Sequence, residues 1–242
     1  MSSSMYSAGA VFLAASLAVG CGSAPPPAAT SGEAERPETP AGRRTPPLEA
    51  PRETTIASSA SSDWVVIGTP MKLALRLPSG WHRVDAETLS RSRRAHLRGG
   101  SAELAADVEH TGWRRSLQVA AMERDPVGAP GGVPIPTVQI MLRELPGPVT
   151  VERLCEMTTA ALQQRLQDVR LVANEPAAVG PLEGGLCHVS YQLDTTDGPT
   201  PVEALTYFVI RDGVNLQISV SGPLGLDRAV VDALLTSIRG VD

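Results

Sequence analysis

Apolar and polar residues alternate along residues 71–78 (MKLALRLP): Leu73, Leu75 and Leu77 point one way, Lys72, Ala74 and Arg76 the other. A period of two is the mark of a half-buried strand. Similar signals predict strands over 64–68 (WVVIG), 116–123 (SLQVAAME) and 137–145 (TVQIMLREL). Three more follow towards the C-terminus. LCHVSYQLD places Cys187, Val189, Tyr191 and Leu193 on one face. VEALTYFVI is apolar on both faces, as an interior strand is. VNLQISV sends Val214, Leu216, Ile218 and Val220 inward, and Asn215, Gln217 and Ser219 outward. Asp212-Gly213 between the last two runs is a tight-hairpin signal.

Elsewhere the period changes to that of a helix. Val151, Leu154, Cys155, Thr158, Ala161, Leu162 and Leu166 form one stripe, with Thr150 placed to cap it and Glu152 at the positive end of its dipole. This helix is predicted to end near Asp168. A second helix lies in LDRAVVDALLTSIRG, capped by Asp227, with Val230, Val231, Leu234, Leu235 and Ile238 as its stripe and Gly240 as its stop. Between Ala86 and His110 the polar content rises, and broken helices split by Gly99-Gly100 are expected. PSGW (78–81) reads as a turn, and DPVGAPGGVPIP (125–136) as a loop. Glu183 before Gly184-Gly185 also reads as loop. Hairpins imply an antiparallel sheet with helices against its faces, an α+β fold.

The N-terminal quarter differs. Residues 8–19 are apolar or small, about a dozen positions, where a bilayer span needs roughly 20. That length suits the core of an export signal. Cys21 follows Ala18-Val19-Gly20, which resembles a bacterial lipobox, whose cysteine takes a thioether-linked lipid. Ala18 stands where that motif has Leu, and the segment before it has no Lys or Arg. From Gly22 to about Ser61 the chain is rich in Pro, Ala, Ser and Thr, with Leu48 and Ile56 nearly alone as large apolar residues. Such a tract cannot bury enough surface to offset its ordering entropy. The expected organisation is a lipoprotein signal peptide (1–20), a disordered tether (21–61) and one α/β domain (62–242). The lipobox resemblance implies a membrane anchor through Cys21 in the cell envelope, at the outer membrane of a Gram-negative host.

Composition narrows the function classes. A net charge of -5 argues against nucleic acid as a partner. Aromatics at 3 % argue against stacking platforms for sugars or single strands. Of the three cysteines, lipidation of Cys21 leaves Cys155 and Cys187 as an even pair in a compartment where disulfides persist. They are either bridged or two buried thiols.

Within the domain, LRLPSGWHRVD (75–85), the middle helix, ALTYFVIRDGVNLQISVSG (204–222) and AVVDALLTSI (229–238) together resemble the PsbP-like family, which includes the Mog-type proteins and bacterial DcrB/LpqN-type lipoproteins. The match runs roughly from Val66 to Arg239, and the arginine-rich stretch from Arg91 to Arg115 has no counterpart. The resemblance implies an α/β/α sandwich and an adaptor or assembly role.

Candidate chemistry is sparse. His82, His96, His110 and His188 show no metal-ligand spacing, and there is no Cys-x-x-Cys, nucleophile elbow, P-loop or dinucleotide fingerprint. His188 adjoins Cys187, but neighbours on a strand face opposite ways. Ser79 is explained by its turn. No metal, cofactor or catalytic residue is expected. Arg91, Arg93, Arg94 and Arg98 form the densest basic cluster, a candidate patch for an anionic partner or a solvated helix face, with Asp85, Glu87 and Glu103 nearby. The reading is a non-catalytic envelope adaptor with an unidentified protein partner; the alternative is a carrier of a small apolar ligand or lipid between sheet and helix. The sequence leaves the oligomeric state open.

Overall fold

In a computed structural model of the chain, the described residues are 64–110, 113–123 and 135–241. The signal segment, Cys21, the tether and most of the 125–136 loop lie outside them. The strands are β1 (Trp64–Ile67), β2 (Leu73–Arg76), β3 (His82–Val84), β4 (Leu117–Met122), β5 (Thr137–Glu144), β6 (Gln167–Val179), β7 (Leu182–Thr195), β8 (Gly198–Arg211), β9 (Val214–Pro223) and β10 (Arg239–Gly240). The helices are α1 (Ala86–His96), α2 (Gly99–His110), α3 (Trp113–Ser116), α4 (Val151–Gln163) and α5 (Arg228–Thr236).

Seven strands form one antiparallel sheet in the order β3-β4-β5-β9-β8-β7-β6. β8, apolar on both faces, lies inside it as expected. The β8–β9 hairpin turns at Asp212 and Gly213, both at positive φ (51° and 75°), the conformation that a two-residue loop demands. A second antiparallel sheet, β1-β2-β10, is small.

Each face of the large sheet carries its own core. On one face, Leu89 of α1, Leu104 of α2, Trp113 of α3 and Leu154 and Leu162 of α4 pack on Cys187, Val189, Tyr191 and Leu193 of β7 and Ala204 and Phe208 of β8. On the other, Val65, Ile67, Leu73 and Leu75 of the small sheet and Val231 and Leu234 of α5 pack on Ile140, Leu205, Val209, Leu216 and Ile218. Helices therefore lie on both faces, and on the second the small sheet shares the layer with α5. Each such side chain removed from water contributes about 1.5–3 kcal/mol before entropy is counted.

Several boundaries differ from the sequence pattern. α4 stops at Gln163, about a turn early, because the chain reverses at Gln164–Leu166 to enter β6; Leu166 is buried in that turn. α5 stops at Thr236, and Arg239–Gly240 pairs with β2 instead of ending a helix. Glu183–Gly185 is strand, paired with β6. The α1–α2 break falls at Leu97 and Arg98, just before the glycine pair. Gly100 lies in the first turn of α2, where any Cβ would collide with the Arg165 carbonyl oxygen. β6 itself, not foreseen, is an edge strand with register shifts between Gln167 and Arg170 and between Leu171 and Ala173, and with Pro176 in its run.

The largest difference concerns β9. Asn215, Gln217 and Ser219 do not face solvent: they are buried, as are Ser221, Thr206, Thr137 and Gln139. Cross-strand register places them on the helix-covered face, as a polar strip over β5, β9 and β8. Thr206 Oγ1 lies 3.1 Å from Ser219 Oγ, which also accepts from Gln217 Nε2 at 3.0 Å. Alternation identified the two faces correctly; both turned out to be covered.

Candidate functional site

Cys155 sits on the buried stripe of α4, whose entry is fixed by Thr150 Oγ1 accepting from Arg153 N (3.2 Å). Cys187 lies on the β7 face that receives α4. The two are bonded, with Cα atoms 5.3 Å apart and 32 residues between them in sequence. The bridge joins the helical layer to the sheet.

On the opposite face, β7 and β8 present His188 and Glu203. Glu203 is 3 % exposed. Its Oε2 lies 2.7 Å from His188 Nε2 and accepts from Arg228 at 2.9 Å. Its Oε1 accepts from the backbone N–H groups of Gly225 (2.9 Å) and Leu226 (2.6 Å). With the proton of His188 on Nε2, four donors meet one carboxylate, matching its roughly four lone-pair sites. A buried charge is tolerated only when it is paired and hydrogen-bonded in this way. The node fastens the β9–α5 loop, and with it the N-terminus of α5 capped by Asp227 (Ala229 N to Oδ1, 2.9 Å), to the sheet. Tyr207 beside it is pushed up from the usual phenol range, chiefly by burial.

The sequence reading did not find this node. Its signal was present: a lone carboxylate inside VEALTYFVI, a run apolar on both faces, needs a buried partner. Cys187 and His188 face opposite ways, as expected for strand neighbours. The His188 ring is joined to Glu203, and the Cys187 sulfur to Cys155.

Two open grooves adjoin this face. One, of about 160 Å³, is lined by Asp168, Arg170, Ser190, Gln192, Pro201 and the exposed Leu224. The other, of about 510 Å³, lies between the turn after β2 and α5 and includes Arg76, Ser79, Asp232 and Ser237. Ser79 belongs to the PSGW turn, closed by Trp81 N to Pro78 O at 3.2 Å with Gly80 at φ 80°. Among the described residues, no group of three or more His, Cys, Asp or Glu is placed to hold a metal ion.

The arginine cluster falls on α1 and just after it. Arg91 pairs with Glu87 at 3.0 Å, both well exposed. Arg98 donates to the Leu97 carbonyl at 2.7 Å. Arg94 is exposed. The Arg93 side chain lies outside the described atoms. His96, between them, has its pKa lowered, first by burial and then by the Arg98 charge. Among the described residues, no helix is long and apolar enough to cross a membrane.

No protein-family model and no curated protein matches this chain. Solved structures do. LpqN of Mycobacterium tuberculosis, described as involved in cell envelope biogenesis, matches at 12 % identity and a TM-score of 0.43, over 75 % of this chain and 91 % of that one. The cyanobacterial PsbP protein (CyanoP) of Synechocystis matches at 14 % and 0.43, over 81 % and 99 %. A structure from Bacteroides thetaiotaomicron matches at 8 % and 0.37, over 71 % of this chain; the match spans less than half of that chain, 46 %. Both LpqN and PsbP belong to the group whose likeness the sequence motifs suggested. These are likenesses of fold, and the α+β arrangement itself rests on the strand order and packing described above.

Proposed function

We propose that this protein is a lipid-anchored, non-catalytic interaction module of the bacterial envelope. The observation that carries the non-catalytic reading is Glu203. It is the most deeply buried carboxylate described, and all its acceptor capacity is taken by its own chain, leaving none for a substrate proton. Cys155 and Cys187 are bonded to each other, which removes the thiol nucleophiles of the described domain. Exposed Leu171 and Val172 on the edge strand, and Leu224 at the smaller groove, are apolar surface of the kind that partners cover. The carrier alternative needs an apolar cavity between sheet and helices. The space between sheet and helices is instead taken up by the packed cluster over β7 and β8 and, beside it, by the polar strip from Asn215 to Ser221, which suits an apolar ligand poorly.

The lipobox at Cys21 supports the anchor. Crosslinking in intact envelopes, followed by capture of the full chain, is expected to recover a specific envelope protein. Cys21→Ser is expected to lose that adduct, lose labelling by a palmitate analogue and enter the soluble fraction. A wild-type chain that takes up no lipid in a bacterial host with an active lipoprotein pathway would refute the anchor.

A further inference from the structure

We propose that the outer face of the β1-β2-β10 sheet docks on an anionic lipid surface. The inner face of this sheet is spent on the core through Val65, Ile67, Leu73 and Leu75. The outer face carries Trp64 and Val66 of β1, Arg76 of β2 and Arg239 of β10. Trp64 stands opposite Arg76, and Val66 opposite Ala74, whose other neighbour is Arg239. The Arg239 guanidinium lies 4.2 Å from the Trp64 ring centroid, and Arg83 donates to the Trp64 carbonyl at 2.7 Å. Val66 is 69 % exposed, the highest value among the large exposed apolar side chains.

Three features select lipid as the occupant. The first is charge: the strands WVVI, LALR and RG contribute Arg76 and Arg239 and no acid, on a chain whose net charge is -5, with Asp63 just before β1 and Asp242 just after β10 in sequence. Asp232 of α5 flanks this face across the groove shared with Arg76. The second is the mixture of side chains. A tryptophan stacked by Arg239 and opposite Arg76, with an exposed branched aliphatic two residues on, matches the headgroup region, where the indole sits at the polar boundary and arginines reach phosphate. The third is size. Strands of four, four and two residues present far less than the roughly 20–30 residues a side of a stable protein interface. A tethered module needs less, because the tether keeps the surface at high effective concentration. The chain leading from Cys21 enters the described domain at Trp64, the start of this same face. That last argument rests on the lipid anchor proposed above.

The test uses the full chain with Cys21→Ser, made without lipid, and vesicles of phosphatidylcholine alone or mixed with phosphatidylglycerol. The expected result is co-sedimentation with the mixed vesicles only, weakened by salt. Arg239→Glu is expected to weaken it by about tenfold or more, from roughly one surface charge removed and one reversed. Arg239→Gln, which adds no acid, is expected to give a smaller loss, and Val66→Asp to abolish binding. Arg91→Glu, the same charge change on α1, is expected to have little effect. Binding to neither vesicle, equal binding to both, or equal sensitivity to Arg91→Glu and Arg239→Glu would overturn the proposal. So would binding to polyglutamate, with the same variant pattern, in place of vesicles. The chain used carries no lipid, so failure here leaves the Cys21 anchor standing, and failure of palmitate labelling leaves this result standing.

Discussion

Glu203 Oε2 on β8 lies 2.7 Å from His188 Nε2 on β7, on the face of the sheet opposite the Cys155–Cys187 bridge. One strand, β7, thus carries both fasteners, one per face. Glu203→Ala is expected to cost about 3–5 kcal/mol, since it strands His188, Arg228 and two backbone N–H groups at once. Arg228→Ala is expected to cost much less, because that side chain is 48 % exposed. Urea denaturation of the two variants checks the ranking; equal losses would mean that the backbone donors of the β9–α5 loop contribute little.

Reduction of the bridge is expected to lower stability by about 3–4 kcal/mol in the chain-entropy account of a 32-residue separation. Intact protein from the envelope is expected to resist alkylation at Cys155 and Cys187 until it is reduced. Peptide mass spectrometry with alkylation before and after reduction reads this directly.

Acid is expected to weaken the α1 region in two windows. His96 has a lowered folded-state pKa, so on acidification the unfolded chain takes up its proton first. Its contribution is present above the unfolded value of about 6.5 and is lost as pH falls through the lower folded value. Asp85 is also lowered, chiefly by the N–H of Thr88, whose bond to Oδ1 is 2.6 Å. Its contribution is present above about 3.9 and is lost as pH falls through its folded value. The urea midpoint should therefore drop between pH 7 and 5, and His96→Gln should flatten that drop. Asp85→Ala should cost about 1 kcal/mol at neutral pH, as for loss of an N-cap.

The buried hydroxyl pair on β8 and β9 should behave as a unit. Thr206→Val and Ser219→Ala are each expected to cost about 1–2 kcal/mol, because each leaves a buried partner short of a hydrogen bond. The double variant is expected to cost less than the sum. Strict additivity in a double-mutant cycle would show that the 3.1 Å contact contributes nothing.

The parts of the fold legible in the sequence are those whose burial is one-sided or complete. α4 and α5 show stripes, β7 alternates and β8 is apolar throughout, so periodicity reports them. β6 is hidden because, along Gln167–Val179, only Val179 is fully buried, and an edge strand with two register shifts keeps no period. The role of Asn215, Gln217 and Ser219 is hidden for another reason. A period of two says that a strand has two faces, and only tertiary packing says what covers the second. The Glu203 node draws donors from β7, from the β9–α5 loop and from the first residue of α5, positions between 15 and 25 residues away. No local pattern encodes such a meeting; the isolated acid in an apolar run is its one trace.

The irregularity of β6 bears on how copies of this protein share space. A chain held to a membrane by a lipid, as proposed for Cys21, diffuses in two dimensions and meets its own kind far more often than at the same number in solution. A long flat edge strand would then recruit neighbours into a growing ribbon. Two register shifts, a proline with no N–H to offer, and charges at Asp168, Arg170 and Glu175 make β6 a poor template for that. On the anchored reading, the same features that erased its sequence signature would disfavour edge-to-edge pairing in a crowded membrane population.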